Sequence, residues 1–189
     1  MPRERKTSSQ PIGVELLEAT FVVNNKPKTT HTPAVDKIVD KAMPLLHAQK
    51  GAQAERLFRQ ALALEPVQPD VLNNLASSLI IQSREAEGFS LTETVYILFP
   101  DYLFARTALA ILAMREDDYE RAAELLAPLF SRREFHISEF NTLCAALIEF
   151  SLYTKQYRSA RVWFDTWSKP DPKNPKLNFY KELLEKVGA

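Results

Sequence analysis

Four kinds of side chain in this sequence invite a chemical reading: three histidines, one cysteine, a run of acids, and a basic stretch laced with aromatics. His31, His47 and His136 each lack a second ligand at metal-site spacing. His136 with Glu139 reads as a solvated loop pair ahead of a Ser138 helix cap rather than as part of a zinc or catalytic site. Cys144 lies among Leu143, Ala145, Ala146 and Leu147, where nothing lowers the thiol pKa, so it reads as a buried structural thiol. The run Glu116-Asp117-Asp118-Tyr119-Glu120 suits a solvated turn and a first helical turn, where carboxylates complement the helix dipole; attraction of a cation or a basic peptide is the alternative. Residues 155–186 carry eight basic and four acidic side chains, net +4, interleaved with Tyr157, Trp163, Trp167 and Tyr180. That mixture would suit stacking on nucleic-acid bases, but Trp163 and Trp167 are four apart on one helical face and read as core. There is no Gly-rich phosphate loop, no Gly-x-Ser-x-Gly elbow and no His-Glu-x-x-His pair. The chain is therefore expected not to be an enzyme and to carry neither metal nor cofactor.

The elements that would hold such side chains are helices. Four Gly in 189 residues are too few for the turns of a sandwich or barrel, so an all-α fold is expected. A formal net charge of zero, from 24 Lys+Arg and 24 Asp+Glu, argues against a general nucleic-acid or acidic-membrane binder. One cysteine excludes an intramolecular disulfide framework. No secretory leader is visible behind Met-Pro-Arg-Glu-Arg-Lys, and apolar runs such as residues 95–99 are far too short to span a bilayer. A cytoplasmic protein without membrane contact is the expectation.

Residues 1–32, net +2 and rich in Lys, Thr, Ser, Asn and Pro, read as a flexible tail ahead of a helical domain at 33–189. The tail has one apolar island, residues 12–23, whose pattern fits a short strand or a short helix docked on the body or on a partner. Beyond it, helix punctuation is dense. Thr32-Pro33 starts a helix with Asp36 in its first turn. Ser90 with Glu93 and Asp117 with Glu120 have capping-box spacing. Asn174-Pro175 opens a last helix that Gly188 closes. About nine short helices are implied, and Pro44 and Pro128 predict a kink or an early end in two of them.

The helices recur with a fixed step. Ala54, Phe58, Ala61 and Pro66 are answered one step later by Gly88, Thr92, Val95 and Pro100, and after an equal step by Ala122, Leu126 and Leu129. The frame returns after a slightly longer step with Ala160, Phe164, Trp167 and Pro172, the extra four residues fitting a longer loop around residues 132–137. A period of about 34 residues with two helices per unit is the signature of a helical solenoid, in which neither face of one unit can be buried alone. In the small residues Ala54, Gly88, Ala122 and Ala160, the first-helix alanines Ala42, Ala76 and Ala110, and the terminating prolines, the chain resembles the tetratricopeptide repeat family over about residues 35–174.

The resemblance implies a right-handed α-solenoid of antiparallel helix pairs, about four units, with the helix at 175–187 as its cap. It also implies a concave groove lined by first helices, in which the residues that would bind a partner are Met43, Asp70, Asn73, Asn74, Ser77, Phe104, Thr107 and Ile111. Asn73 and Asn74 either offer amides to a peptide backbone or bond a neighbouring turn; Met43, Phe104 and Ile111 would hold an apolar side chain. One subclass of the family clamps the carboxylate of chaperone tails with two lysines, an arginine and two asparagines. Here only Asn74 has a counterpart, with Val39, Met43, Phe104 and Ala108 in the other places, so an internal peptide segment or helix of a partner protein is expected instead. The expected function is a non-catalytic scaffold or adaptor. The alternatives are homo-oligomeric assembly through the apolar island, and a nucleic-acid-associated regulatory subunit using residues 155–186; a third, an enzyme subunit, would need its active site on another chain.

Overall fold

The computed structural model describes residues 21–26 and 31–188, so the island before Phe21 and most of the expected tail lie outside the described residues. What is described is mostly helical. A strand, β1 (Val22–Asn24), precedes α1 (Pro33–His47), α2 (Gly51–Leu64), α3 (Pro69–Ile81), α4 (Glu85–Leu98), α5 (Leu103–Arg115) and α6 (Tyr119–Leu126). A 3-10 turn (Ala127–Ser131) and β2 (Glu134–His136) then lead to α7 (Ile137–Tyr153), α8 (Tyr157–Ser168) and α9 (Lys176–Lys186).

Local chemistry accounts for most of the boundaries. Pro33 opens α1, although the Thr32 side chain makes no cap bond; the Thr32 backbone N–H donates instead to Glu65 Oε1 at 2.9 Å. Asp118, rather than Asp117, caps α6 by accepting the Arg121 N–H at 3.0 Å. Asn174 accepts the Lys176 N–H at 3.0 Å and so orders the start of α9. Pro128 has the effect its ring dictates: α6 stops at Leu126 and tightens into the 3-10 turn. Pro44 does not end α1, which continues to His47. The Ser90 capping box is not formed. Helix α4 begins well ahead of Ser90, with Glu85 and Glu87 in its first turn, and the Ser90 carbonyl accepts the Thr94 hydroxyl within it.

The turn into the second helix of each expected pair is the same turn four times. Gln49, Ser83, Asp117 and Lys155 hold φ of 58°, 61°, 60° and 59°, spaced by the two equal steps and the one longer step of the sequence frame. In each case the following residue's N–H donates back to a carbonyl near the end of the first helix: Lys50 to Leu45, Arg84 to Leu79, Asp118 to Ala113 and Gln156 to Ser151, at 2.7–3.0 Å. This is the Schellman closure, and it satisfies carbonyls that the helix end would otherwise leave bare. The next helix starts at once, on Gly51, Glu85, Tyr119 and Tyr157. Ala54, Ala122 and Ala160 are fully buried in these second helices. Gly88 takes the place of these alanines in α4: a Cβ there would stand 2.6 Å from Ile80 Cγ1 and 2.9 Å from the Ala76 carbonyl, so α3 and α4 meet at a distance only glycine permits.

Each of α1 to α5 packs on the helix that follows it, as do α7 on α8 and α8 on α9, while α1 also touches α3, α5 touches α7, and α6 packs on the 3-10 turn. The buried apolar side chains gather in two clusters. One joins α1, α2 and α3 through Val35, Ala42, Leu46, Phe58, Ala61, Val71 and Leu75. The larger one runs from α5 to α9 and includes Met114, Leu126, Phe135, Phe140, Cys144, Trp163, Trp167 and Tyr180. Helix α4 lies between them, with Leu91 against the first and Tyr96 against the second.

A second connection runs between the halves. β1 pairs in parallel with β2, Val22 opposite Glu134, Val23 opposite Phe135 and Asn24 opposite His136. Phe21 and Val23 pack on the larger cluster. A little further on, His31 and Thr32 are bonded to Glu65 and Asp70 of the first half. Residues 132–137, expected as a longer loop, thus contain a strand that receives the chain's own N-terminal segment.

Candidate functional site

The face expected to bind is carried by the first helices α1, α3, α5 and α7. On α3, Asp70, Asn73, Asn74 and Ser77 are half-buried. Ser77 donates its hydroxyl to the Asn73 carbonyl at 3.0 Å, and Ser78 does the same to Asn74 at 2.9 Å, so these hydroxyls are engaged by their own helix. The side-chain amides of Asn73 and Asn74 make no hydrogen bond to a neighbouring turn among the described residues. Met43 is half-buried against the α1–α3 cluster, and Phe104 and Ile111 are half-buried against the larger one. Thr107 is not available: it is 1% exposed, and its hydroxyl donates to the Leu103 and Phe104 carbonyls. Ala145 and Ala146 of α7 are likewise buried, and Glu149 is taken by the Tyr180 hydroxyl at 2.6 Å.

The structure adds groups to this face that sequence reading did not assign to it. Tyr102, just ahead of α5, sets its ring 5.5 Å from that of Phe104 at a tilt of 52°. Its phenol is pushed well above the usual tyrosine range by burial, with the carboxylates of Asp70 and Glu139 adding to the effect. His31, its side chain only 4% exposed, sets Nε2 2.8 Å from Asp70 Oδ2 and Nδ1 3.6 Å from Glu65 Oε2. Glu65 also accepts the Thr32 N–H and the Gln68 amide, and the Thr32 bond and the nearby His31 hold its carboxyl below the usual carboxylate range. Burial opposes a charge on His31, but the Asp70 hydrogen bond and the surrounding Asp70, Asp36 and Glu65 carboxylates outweigh it and raise the imidazole above 6.5. No spacing pattern marks this cluster, because its members come from distant points of the chain.

A separate cleft of about 330 Å3 opens between α4, α5 and α6. Its floor is Leu109, Leu112, Ala113 and Leu125, its rim Glu93, Glu116, Asp118 and Arg121. Tyr96 lines it, with the Arg106 and Arg121 guanidiniums 5.2 and 5.9 Å from the ring centre. Arg106 itself is buried and donates to the Pro100 and Leu125 carbonyls, which fastens α5 to the ends of its neighbours.

The other candidates resolve into structural roles. Cys144 is fully buried, and burial pushes its thiol well above the ordinary range. The pair expected to be solvated before a Ser138 cap is instead a cap in itself. His136 Nδ1 accepts the Ser138 N–H, while Glu139, only 7% exposed, accepts the His136 N–H and takes a two-oxygen contact from Arg132 at 2.9 and 3.0 Å. Trp163 and Trp167 are core: they are 3% and 0% exposed, and Trp167 donates to Asn141 at 2.8 Å. Tyr180 is buried as well, so of the four aromatics in residues 155–186 singled out for stacking on bases only Tyr157 is exposed. Among the described residues, no three of His, Cys, Asp and Glu are placed to hold a metal ion, and no helix is long and apolar enough to cross a membrane. Comparisons with protein-family models, with curated proteins and with solved structures each return no match for this chain.

Proposed function

We propose that the chain is a non-catalytic scaffold of tetratricopeptide-like helix pairs, about four units capped by α9, that binds a peptide segment or helix of another protein along the face of its first helices. The observation that carries this reading is the turn that recurs at Gln49, Ser83, Asp117 and Lys155 with one backbone geometry and the spacing of the sequence frame. Stacked repeat units form an extended binding surface, and the contacts of α1 with α3 and of α5 with α7 support such stacking within each half. The Asn73 and Asn74 amides, with Tyr102 and Phe104 on the next unit, supply hydrogen-bonding and apolar contacts of the kind that hold a backbone segment. Asp36 and Asp40, both exposed on α1, favour a partner segment bearing basic residues.

The test is capture of a partner from native extract at moderate salt by the full chain and by an Asn74→Ala/Phe104→Ala variant, with far-UV circular dichroism of both. A partner held by the first and absent from the second, at equal helix content, supports the groove. Equal capture by both removes the groove from the account.

A further inference from the structure

The extra residues that lengthen the last repeat step contribute to a strand whose ladder partner is the chain's own N-terminal segment. That segment is read in a defined way. The Val22 N–H donates to the Arg133 carbonyl at 2.8 Å, and the parallel ladder then runs beside Glu134, Phe135 and His136. Alternate side chains point to opposite faces of a strand. Phe21 enters a seat of rings, 5.8 Å from Phe135, 5.6 Å from Phe140 and 6.4 Å from Trp163, and Val23 packs on the same cluster. Val22, between them, faces out and is 57% exposed. Asn24 closes the contact by donating its amide to Glu134 Oε1 at 2.8 Å. Backbone pairing combined with pockets for alternate side chains is how a sheet edge recognises an added strand.

We propose that β2, with the ring seat formed by Phe135, Phe140 and Trp163, is a strand-addition site. Its ligand is an extended segment of the form aromatic-x-aliphatic-Asn, supplied by residues 21–24 of the same chain or, when these are displaced, by residues 21–24 of a second copy. A second copy is the partner of choice, because its segment carries the side chains already seen to fit. The site is reversible on physical grounds. Three paired residues and two half-buried side chains are a small return for ordering a chain segment, so the docked and released forms lie close in free energy.

The probe is a fluorescent peptide of residues 18–26, titrated by anisotropy into three forms of the full chain: wild type, Phe21→Asp, and Val22→Cys/Glu134→Cys oxidised to lock the segment in place. Cys144 is fully buried and does not compete for the disulfide. Saturable binding to Phe21→Asp at least tenfold tighter than to the oxidised lock, with reduction of the lock increasing its binding although Glu134 no longer accepts from Asn24, is the expected result. A peptide that itself carries Phe21→Asp is expected not to bind. Absence of saturable binding to the Phe21→Asp protein at unchanged helix content overturns the site, and so does equal binding to the locked form, which would put the peptide elsewhere. Should Phe21→Asp fail to fold, Val23→Asn releases the same segment with the ring seat intact and is read the same way.

Discussion

His31 shows how a side chain without a catalytic partner acquires a titration of consequence. Its imidazolium faces Asp70, Glu65 and Asp36, and its folded pKa lies above 6.5. The charged form is therefore the one the fold favours. Its contribution is fully present below 6.5 and is lost as pH rises through the higher folded value. His31→Gln keeps a donor for Asp70 but no charge. We expect it to lower stability near pH 5.5 by about 1.5–3 kcal/mol, the range for hydrogen bonds to charged groups, and thermal melts of the two proteins should converge as pH rises through the folded value. A gap that is constant across that range would show that shape, not charge, is what His31 supplies. Glu139 makes the complementary case. Glu139→Ala removes a cap from α7 and leaves Arg132 without its carboxylate, so urea unfolding should show a loss of about 2–4 kcal/mol, combining a lost cap with a broken, partly buried pair.

At the scale of elements, the turns and the close helix approaches make opposite demands on one residue type. Lys155 is exposed and adopts a left-handed backbone that costs an L-residue about 1–2 kcal/mol, so Lys155→Gly should raise stability by about 0.5–1 kcal/mol once the extra chain entropy of glycine is subtracted. Gly88 behaves in reverse. Gly88→Ala gains helix propensity of about 1 kcal/mol but drives a methyl group into Ile80 and the Ala76 carbonyl; with overpacking at about 1–3 kcal/mol, a net loss in chemical denaturation is expected. The same two constraints explain what was legible beforehand. Small residues at Ala54, Gly88, Ala122 and Ala160 and the even spacing of the turns follow from local geometry, and local geometry leaves a mark at fixed steps in a sequence. The Ser90 motif misled because a Ser followed by Glu at that spacing is common, whereas the actual start of α4 at Glu85 has no side-chain cap to announce it. Thr107 was assigned to the open face by position, but its helix packs too closely to leave it exposed. The β1–β2 pairing and the His31 cluster left no periodic trace, since each depends on where distant parts of the chain come to rest.

In the whole molecule, two apolar clusters are joined at α4 and again through the N-terminal segment, docked on the larger cluster at Phe21 and on the smaller half at His31. Extended chain covers at most about 3.6 Å per residue, so Lys26, just past the ladder, and His31, at the first-half anchor, stand within about 18 Å of each other. Phe21→Asp therefore releases a constraint on how the halves are set relative to one another. Small-angle scattering should report a larger radius of gyration for that variant than for wild type at equal helix content. An unchanged radius would mean that the α4 junction alone sets the shape.

The parallel pairing also imposes an order of events during synthesis. Asn24 and Glu134, bonded to each other across the ladder, are 110 positions apart in the chain. At about 5–20 residues per second, the ribosome needs roughly 6–22 s to reach the second strand after making the first. Helices equilibrate in about a microsecond or less, and α1 to α5 have ample time to pack while Phe21 and Val23 have nothing to dock on. The first-made residues of the described chain thus wait until α1 to α6 have been made, and until then a nascent chain trails an uncovered aromatic and valine that a chaperone, or the matching strand of a neighbouring nascent chain, can reach first.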